Sequence, residues 1–329
     1  MIATIKIINN KEEICLYYDA LKTFITLAEV KNFTKASEIL HISQPSVSLH
    51  IKNLEKEFQT ELFIRSPKHV QITPTGNLLY QRAKQIVSLY EQTKEDILAH
   101  HHSVQGELRI GASFTIGEYI LPVFLSKLQT DFPKLELKVT IGNTVEVIQN
   151  VREFQVDIGL IEGQTNDKEL SIHPFMKDEL FIICSPSYPG FKSVMTVKDL
   201  QNQTWITREE GSGTGEYVNH VIRSNGLKVK SLLTISSNQG VKESVMQGMG
   251  ISLLSGSVIE REVKHGDLSI VRLENQTFPR TFSYVYSPVM EQKRSVETFI
   301  QVIRSSHDEI KESIGGHKSA NCHEGISPY

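Results

Sequence analysis

The chain has 329 residues, 39% of them hydrophobic and 22% charged, with a formal net charge of -3 at neutral pH. That length allows two or three domains with cores of their own, and the composition is that of a globular protein, which excludes disordered and fibrous classes. No apolar run approaches the ~20 residues that span a bilayer, and the short apolar start, Met1 to Ile8, has no cleavage pattern after it, so neither a membrane segment nor an export signal is expected.

Residues 1–15 read as an extension before the first packed helix, Asp19 to Val30, which turns Leu21, Phe24, Leu27 and Ala28 inward. Two short amphipathic helices follow. Thr34 is the expected N-cap of the first, with Ala36, Ile39 and Leu40 on its inner face. His41-Ile42 makes the turn, and Ser43 caps the second helix, whose first turn tolerates Pro45 because the missing N–H has no partner there. At 100° per residue Val47, Ile51, Leu54 and Phe58 form one buried stripe. The opposite face carries Pro45, Ser48, Leu49, Lys52 and Lys56, with Gln44 at the tip. Gln44 suits an adenine edge, Ser48 a base or phosphate, Leu49 a thymine methyl, and Lys52 a phosphate. Leu62 to Ser66 and Val70 to Gly76 then read as a small basic hairpin. Two helices and a wing are the parts of a winged helix-turn-helix, which lays one helix in a DNA major groove. The local charge agrees. From Lys31 to Lys84 there are eight Lys and Arg against four Asp and Glu, so a basic patch sits inside an acidic chain.

The reader domain is expected to span 16–74. Residues 75–103 read as one long helix with Leu79, Ala83, Ile86, Tyr90, Thr93 and Ile97 spaced by three and four, a seam along which two chains would pair. His100-His101-His102 fan around that helix and cannot share a metal. Ser103 to Gly106 breaks it. Beyond lies alternation: strand Glu107 to Gly111, helix Gly117 to Thr130, strand Leu135 to Ile141, helix Thr144 to Phe154, strand Val156 to Ile161. A second set runs from Leu180 to Leu254, with helices at Gly215 to Ser224 and Gly240 to Gly248. A late strand, Tyr284 to Tyr286, and a last helix, Val296 to Ile303, complete it. The pattern implies a parallel α/β sheet in two similar lobes around a cleft, spanning 104–314, before a Gly-, His- and Ser-rich tail, 315–329, expected to be disordered. Cys184 lies in an apolar run and reads as a core residue. Three cysteines this far apart form neither a disulfide framework nor a zinc site, as suits the cytoplasm.

Leu21-Lys22-Thr23-Phe24, Phe33 to Ser37, Ser43 to Ser48, Leu62 to Arg65 and Thr73-Pro74-Thr75-Gly76 together resemble the LysR-type transcriptional regulators over roughly Tyr17 to Ile310. The resemblance implies a fold of winged helix-turn-helix, linker helix and two-lobed α/β effector domain like a periplasmic binding protein. It implies no cofactor but a small-molecule effector, promoter DNA as partner, a homodimer through the linker helix assembling into a homotetramer, and contact with RNA polymerase. By it, Thr34, Lys35, Gln44, Pro45, Ser46, Ser48, Leu49 and Lys52 read DNA, with Arg65 and Lys68 at the wing. Two positions depart from the family pattern: Leu49, where Arg is common, and Gln59, where Gly is usual.

Ligands of open α/β sheets sit beyond strand carboxyl ends, at helix N-termini. That rule selects Ser113, Phe114 and Thr115 after one strand, and Asn143 and Thr144 after the next. It also selects Arg208, Ser212 and Thr214 in the second lobe and Asn238 before another helix. Hydroxyls, free N–H groups and helix dipoles suit a small anion, with Arg208 as a charge partner; the same residues serve as ordinary helix caps. The segment Ile206 to Thr214 resembles the branch of the family that senses sulfur and cysteine metabolites, although Gly215 stands where that branch carries Arg. Two rivals fail. An enzyme would need a nucleophile elbow, phosphate loop, dinucleotide fingerprint or metal motif, and none is present. A solute-binding transport protein would not carry a basic reader domain.

Overall fold

The computed structural model describes residues 11–65, 70–99, 106–163, 165, 167–190 and 192–305. Its contacts divide into two compact units, 1–100 and 101–329.

In the first unit, helix α1 (Lys11–Val30) packs on α2 (Phe33–Leu40), α3 (Gln44–Glu57) and α4 (Pro74–Ala99). The first helix thus begins at Lys11, within the expected extension. Phe24, Leu27, Ala36, Val47, Ile51, Leu54 and Leu62 are at most 1% exposed and form the core. Three local expectations are corrected. Asn32, not Thr34, caps α2, accepting from the Lys35 N–H. Ile39 is 52% exposed, because the buried stripe of this helix runs through Ala36 and Ser37 and leaves Ile39 pointing away. Phe58 is 50% exposed, because α3 ends at Glu57 and the chain turns before the stripe would reach it. The turn between α2 and α3 needs His41 in the left-handed region, φ 53°. Gln59 also takes that conformation, φ 50°, which explains why glycine suits the position.

The wing is β1 (Phe63–Arg65) paired antiparallel with β2 (Val70–Ile72). Glu55 of α3 accepts from the backbone N–H groups of Leu62 and Phe63, pinning the wing to the helix it must stand beside. Thr73 caps α4 by accepting from Gly76 N. A Cβ on Gly76 would collide with the Leu62 carbonyl, so the Thr-Pro-Thr-Gly step is a close approach of backbones. The proposed pairing seam divides. Ala83 is buried in the unit's own core, Leu79 packs against that core, and the Tyr90 ring meets that of Tyr18 at 4.5 Å in a tilted contact. Among the described side chains of α4, Leu78, Ile86, Leu89 and Tyr90 stay outward, 61%, 52%, 45% and 41% exposed.

The second unit is built on a mixed sheet in the order β4-β3-β5-β12-β6-β11-β7, with β10 on β6. Its first lobe holds β3 (Gly106–Ser113), a π-helical turn (Ile116–Ile120) leading into α5 (Leu121–Asp131), β4 (Leu135–Gly142), α6 (Thr144–Arg152) and β5 (Ile158–Glu162). Strand β6 (Ser171–Cys184) crosses to the second lobe. There lie β7 (Val194–Met195), β8 (Thr204–Thr207), α7 (Gly213–Ser224), β9 (Ser231–Thr234), α8 (Asn238–Met246), β10 (Ser252–Ser255), α9 (Gly256–His265) and β11 (Ser269–Leu273). Strand β12 (Phe278–Tyr286) crosses back, and α10 (Arg294–Ser305) closes on the first lobe. The expected all-parallel sheet is corrected. β3 is parallel to β4 and β5, but β12 is antiparallel to both β5 and β6 because the two crossing strands run in opposite directions. The helix expected from Gly117 opens as a π-helical turn, and α9 and β11 lie in a stretch left unassigned from the sequence. The break at 103–105, the histidines 100–102, Lys68 and the tail fall outside the described residues.

Candidate DNA-reading face and effector junction

The capping Ser43 accepts from Ser46 N, and Pro45 sits in the first turn of α3. Burial of Val47, Ile51 and Leu54 fixes the rotation of this helix, so Gln44, Pro45, Leu49 and Lys52 stand exposed on its far side, with Ser46 and Ser48 half-buried beside them. The Gln44 amide donates a long hydrogen bond to Ser48 Oγ, 3.4 Å, which a base edge can replace at little cost. Thr34 and Lys35 are exposed at the start of α2. Arg65 belongs to β1, at the wing. One support was not foreseen: His50 Nδ1 lies 2.8 Å from Thr23 Oγ1, which itself donates to Asp19 O, tying α3 to α1.

In the second unit the selected residues do converge, but on each other. Thr115, 1% exposed, receives the Asn238 amide at 3.5 Å; Asn238 Oδ1 accepts from Arg208 at 2.6 Å. Arg208 is 3% exposed, is held by Glu209 at 2.8 Å and lies over the Phe114 ring at 4.5 Å. It is therefore a paired cation, not the free charge expected. Asn143 caps α6 in a capping box with Glu146, Thr144 Oγ1 donates to Glu162 O, and Ser212 caps α7. Thr214 Oγ1 donates to Glu162 Oε2 at 3.0 Å. A backbone bond from Val145 N to Gly211 O, 3.3 Å, joins the lobes. Among the described residues, buried hydroxyls without a partner include Ser113 Oγ at the end of β3 and Thr207 Oγ1 at the end of β8; Ser295 Oγ of α10 is a third.

Sequence reasoning missed the group at the centre. Arg280 on β12 is 6% exposed and reaches Glu162 at 2.7 Å, Asp178 at 2.6 Å, Thr214 at 3.0 Å and Thr115 at 3.4 Å. Burial opposes its charge, yet the two carboxylates raise its pKa further. Burial also opposes ionisation of Glu162, but Arg280 and the donors from Thr115 and Thr214 hold that carboxyl below its usual range. The available signal was phase: Phe278, Arg280 and Phe282 share one face of a strand, so a charge stood at an inward position.

A cavity of about 560 Å³ opens on the second lobe, between Thr207 at the end of β8, Glu216, His220 and Arg223 of α7 and Leu232 of β9. Of the residues selected as effector contacts it includes only Arg208, and Glu209 and Glu210 also line it, which disfavours an anion there. Cys184 is buried, and burial pushes its thiol to about 11, so it behaves as a core residue. Among the described residues no His, Cys, Asp and Glu group is arranged to hold a metal, and no helix is long and apolar enough to cross a membrane.

Two family models match: the bacterial regulatory helix-turn-helix of the lysR family over residues 18–77, and the LysR substrate binding domain over 101–308. The chain is 59% identical over 294 residues to the HTH-type transcriptional regulator CysL of Bacillus subtilis (strain 168), covering 89% of this chain and 98% of that one. Among solved structures, full-length OxyR C199D from Pseudomonas aeruginosa superposes with a TM-score of 0.70 at 21% identity, over 87% of this chain and 94% of that one. CbnR complexed with its target DNA gives a TM-score of 0.63 at 20% identity, covering 88% and 99%. At those identities the last two speak to the fold.

Proposed function

The chain belongs to the LysR family of DNA-binding transcriptional regulators, and from that premise we propose that it is a promoter-binding regulator answering a small anionic metabolite held between the two lobes of its second unit. Gln44, Pro45, Ser46, Ser48 and Leu49 meet base edges, Thr34, Lys35 and Lys52 meet phosphates, and Arg65 and Lys68 follow the neighbouring backbone. The observation that carries the DNA half is the division of α3 into a wholly buried apolar face and an exposed polar one that starts at the N-terminal tip.

For the ligand half, the support is the pair of unpartnered buried hydroxyls, Ser113 and Thr207, beside Phe114, Thr115 and Arg208, with Asn238 bonded to Thr115 and Arg208, Ser212 and Thr214 close by in the chain, and Asn143 and Thr144 following Gly142, the strand partner of Ser113. Buried hydroxyls without partners are costly, and an oxyanion satisfies them. The ligand's pathway is that of sulfur or cysteine; the support is the Ile206 to Thr214 segment and the 59% identity to a regulator named CysL. The active assembly is a homodimer through α4, for which Leu78, Ile86 and Leu89 offer an exposed apolar strip, doubled to a tetramer. It works in the cytoplasm, and ligand-driven lobe rotation alters the DNA bend and the contact with RNA polymerase.

A gel-shift series on the chain's own upstream region tests the reading. A salt-sensitive, sequence-specific shift that sulfate, thiosulfate or O-acetylserine alters is expected; no specific shift rejects the DNA assignment, and no response to any of the three rejects the ligand class.

A further inference from the structure

The network at the lobe junction contains two guanidiniums, Arg208 and Arg280, and three carboxylates, Glu162, Asp178 and Glu209, linked through Thr115 and Asn238. These five groups sum to one net negative charge, in a setting where the Arg280, Glu162 and Asp178 side chains are only 3–5% exposed; Glu118, whose carboxyl burial also pushes up, and Lys242 act on the same network. Adding an anion there brings a second uncompensated charge into a poorly solvated space, which is unfavourable unless a positive charge enters with it. The entering charge available to any protein in water is a proton.

The geometry distinguishes the two carboxylates around Arg280. Glu162 has no oxygen to spare: Oε1 accepts from the Thr115 backbone N–H, and Oε2 accepts from Arg280 Nη1 and Thr214 Oγ1. Protonating it sets a hydrogen against a fixed donor. Asp178 differs. Its Oδ2 accepts from Arg280 Nε, but its Oδ1 meets only a hydroxyl, Ser255 Oγ, at 2.7 Å. The Ser255 oxygen already accepts from the Ser257 N–H at 3.2 Å as the cap of α9, which leaves one lone pair to accept a further hydrogen. A proton on Oδ1 therefore turns that contact round and leaves the Arg280 bond intact.

We propose that Asp178 is the proton site of the lobe junction, and that binding of the anionic effector is coupled to uptake of a proton from solvent at Asp178 Oδ1, so that the regulator answers its anion more strongly as pH falls. The coupling rests on the anionic reading of the effector given above; the proton site rests on the junction alone. The charged groups acting on Asp178 are Arg280 from β12 and Glu162 from β5, with the Ser255 hydroxyl from the end of β10; its chain neighbours Lys177 and Glu179 alternate to the other face of β6. Burial pushes the Asp178 carboxyl up, Glu162 adds to the rise, and Arg280 and Ser255 offset only part of it.

A folded-state pKa above the unfolded value of about 3.9 means that the folded chain holds this proton more tightly, so wild-type stability falls as pH rises from that value through the folded one. Asp178→Asn copies the protonated form: its carbonyl faces Arg280 and its amide donates to Ser255. Full-length wild type and Asp178→Asn are compared by thermal melting from about pH 4, near the unfolded value, to about pH 8 without ligand. The variant's melting temperature relative to wild type should climb across that range, by ~3 °C; an offset constant with pH overturns the proton site. Glu162→Gln, which cannot make the same swap, should melt lower throughout.

Calorimetry with sulfate and thiosulfate in two buffers of different ionisation enthalpy then reads the coupling. Wild type should take up as much as one proton per anion, with affinity weakening up to about tenfold per pH unit, and Asp178→Asn should show neither. Anion binding without proton uptake overturns the coupling and leaves the proposed function standing. No heat from either anion, with the pH-dependent melting offset present, rejects the anion class and keeps the proton site.

Discussion

The reading helix and the lobe junction solve opposite problems with the same residue types. On α3 the polar side chains are left outward and weakly held: Gln44 has only a 3.4 Å contact to Ser48, and Lys52 is exposed. At the junction, Thr115, Thr214, Asn238, Arg208 and Arg280 are all buried and satisfy one another. A surface that must meet a large, fixed partner keeps its donors free. The junction holds its donors in internal bonds, and on the proposed function a ligand there would have to exchange those bonds rather than simply occupy them. Polar substitutions should therefore act on recognition in the first region and on stability or switching in the second.

The largest effect expected is at Arg280. Arg280→Met leaves Glu162 and Asp178 buried without their cation and should cost the second unit about 3–5 kcal/mol in denaturant unfolding; a loss below about 1 kcal/mol would mean that water reaches the junction. Next, Gln44→Ala should weaken binding to the specific site by about 1–3 kcal/mol while leaving non-specific DNA affinity and melting temperature unchanged, as measured by titration at fixed salt. Equal loss on both DNAs would make Gln44 a positioning contact.

Ser113→Ala sharpens the comparison from inside the junction. Because Ser113 Oγ has no partner, its removal should leave stability unchanged or raise it by up to about 1 kcal/mol. The same change should blunt the response to the anion. Destabilisation without a change in response would assign the hydroxyl a structural role. The smallest effect is at Gln59, where φ is 50°. Gln59→Gly relieves a left-handed strain and should stabilise the first unit by about 0.5–1 kcal/mol, read as a small rise in its melting temperature, with no change in affinity for DNA.

These two regions were not equally legible in the sequence. The reading face was, because helical periodicity and a capping serine followed by proline are local signals. Val47, Ile51 and Leu54 lie where the 100° rule puts them. The same reasoning misplaced Ile39, because the buried stripe of α2 runs through Ala36 and Ser37, and Phe58, because it cannot see where a helix stops. It also drew a single seam on α4 that tertiary packing divides, with Ala83 claimed by its own core and Ile86 left outside. At the junction, strand ends and helix starts picked out Thr115, Thr214 and Asn238 one at a time. Arg280, the common partner of Thr115 and Thr214, is 165 residues from Thr115 and 118 from Glu162 in the chain. Only the antiparallel return of β12 brings it there, and that return is a property of topology, which no window of residues contains.

The contact beneath Gly76 has a mechanical consequence. With the Leu62 carbonyl seated against a residue that has no side chain, the root of α4 cannot swivel or slide against the hairpin before it. A turn of the 26-residue shaft is thus passed at its root to the hairpin and, through the Glu55 carboxylate, to α3. A side chain at Gly76 would push the Leu62 carbonyl and Ile72 away and loosen that joint.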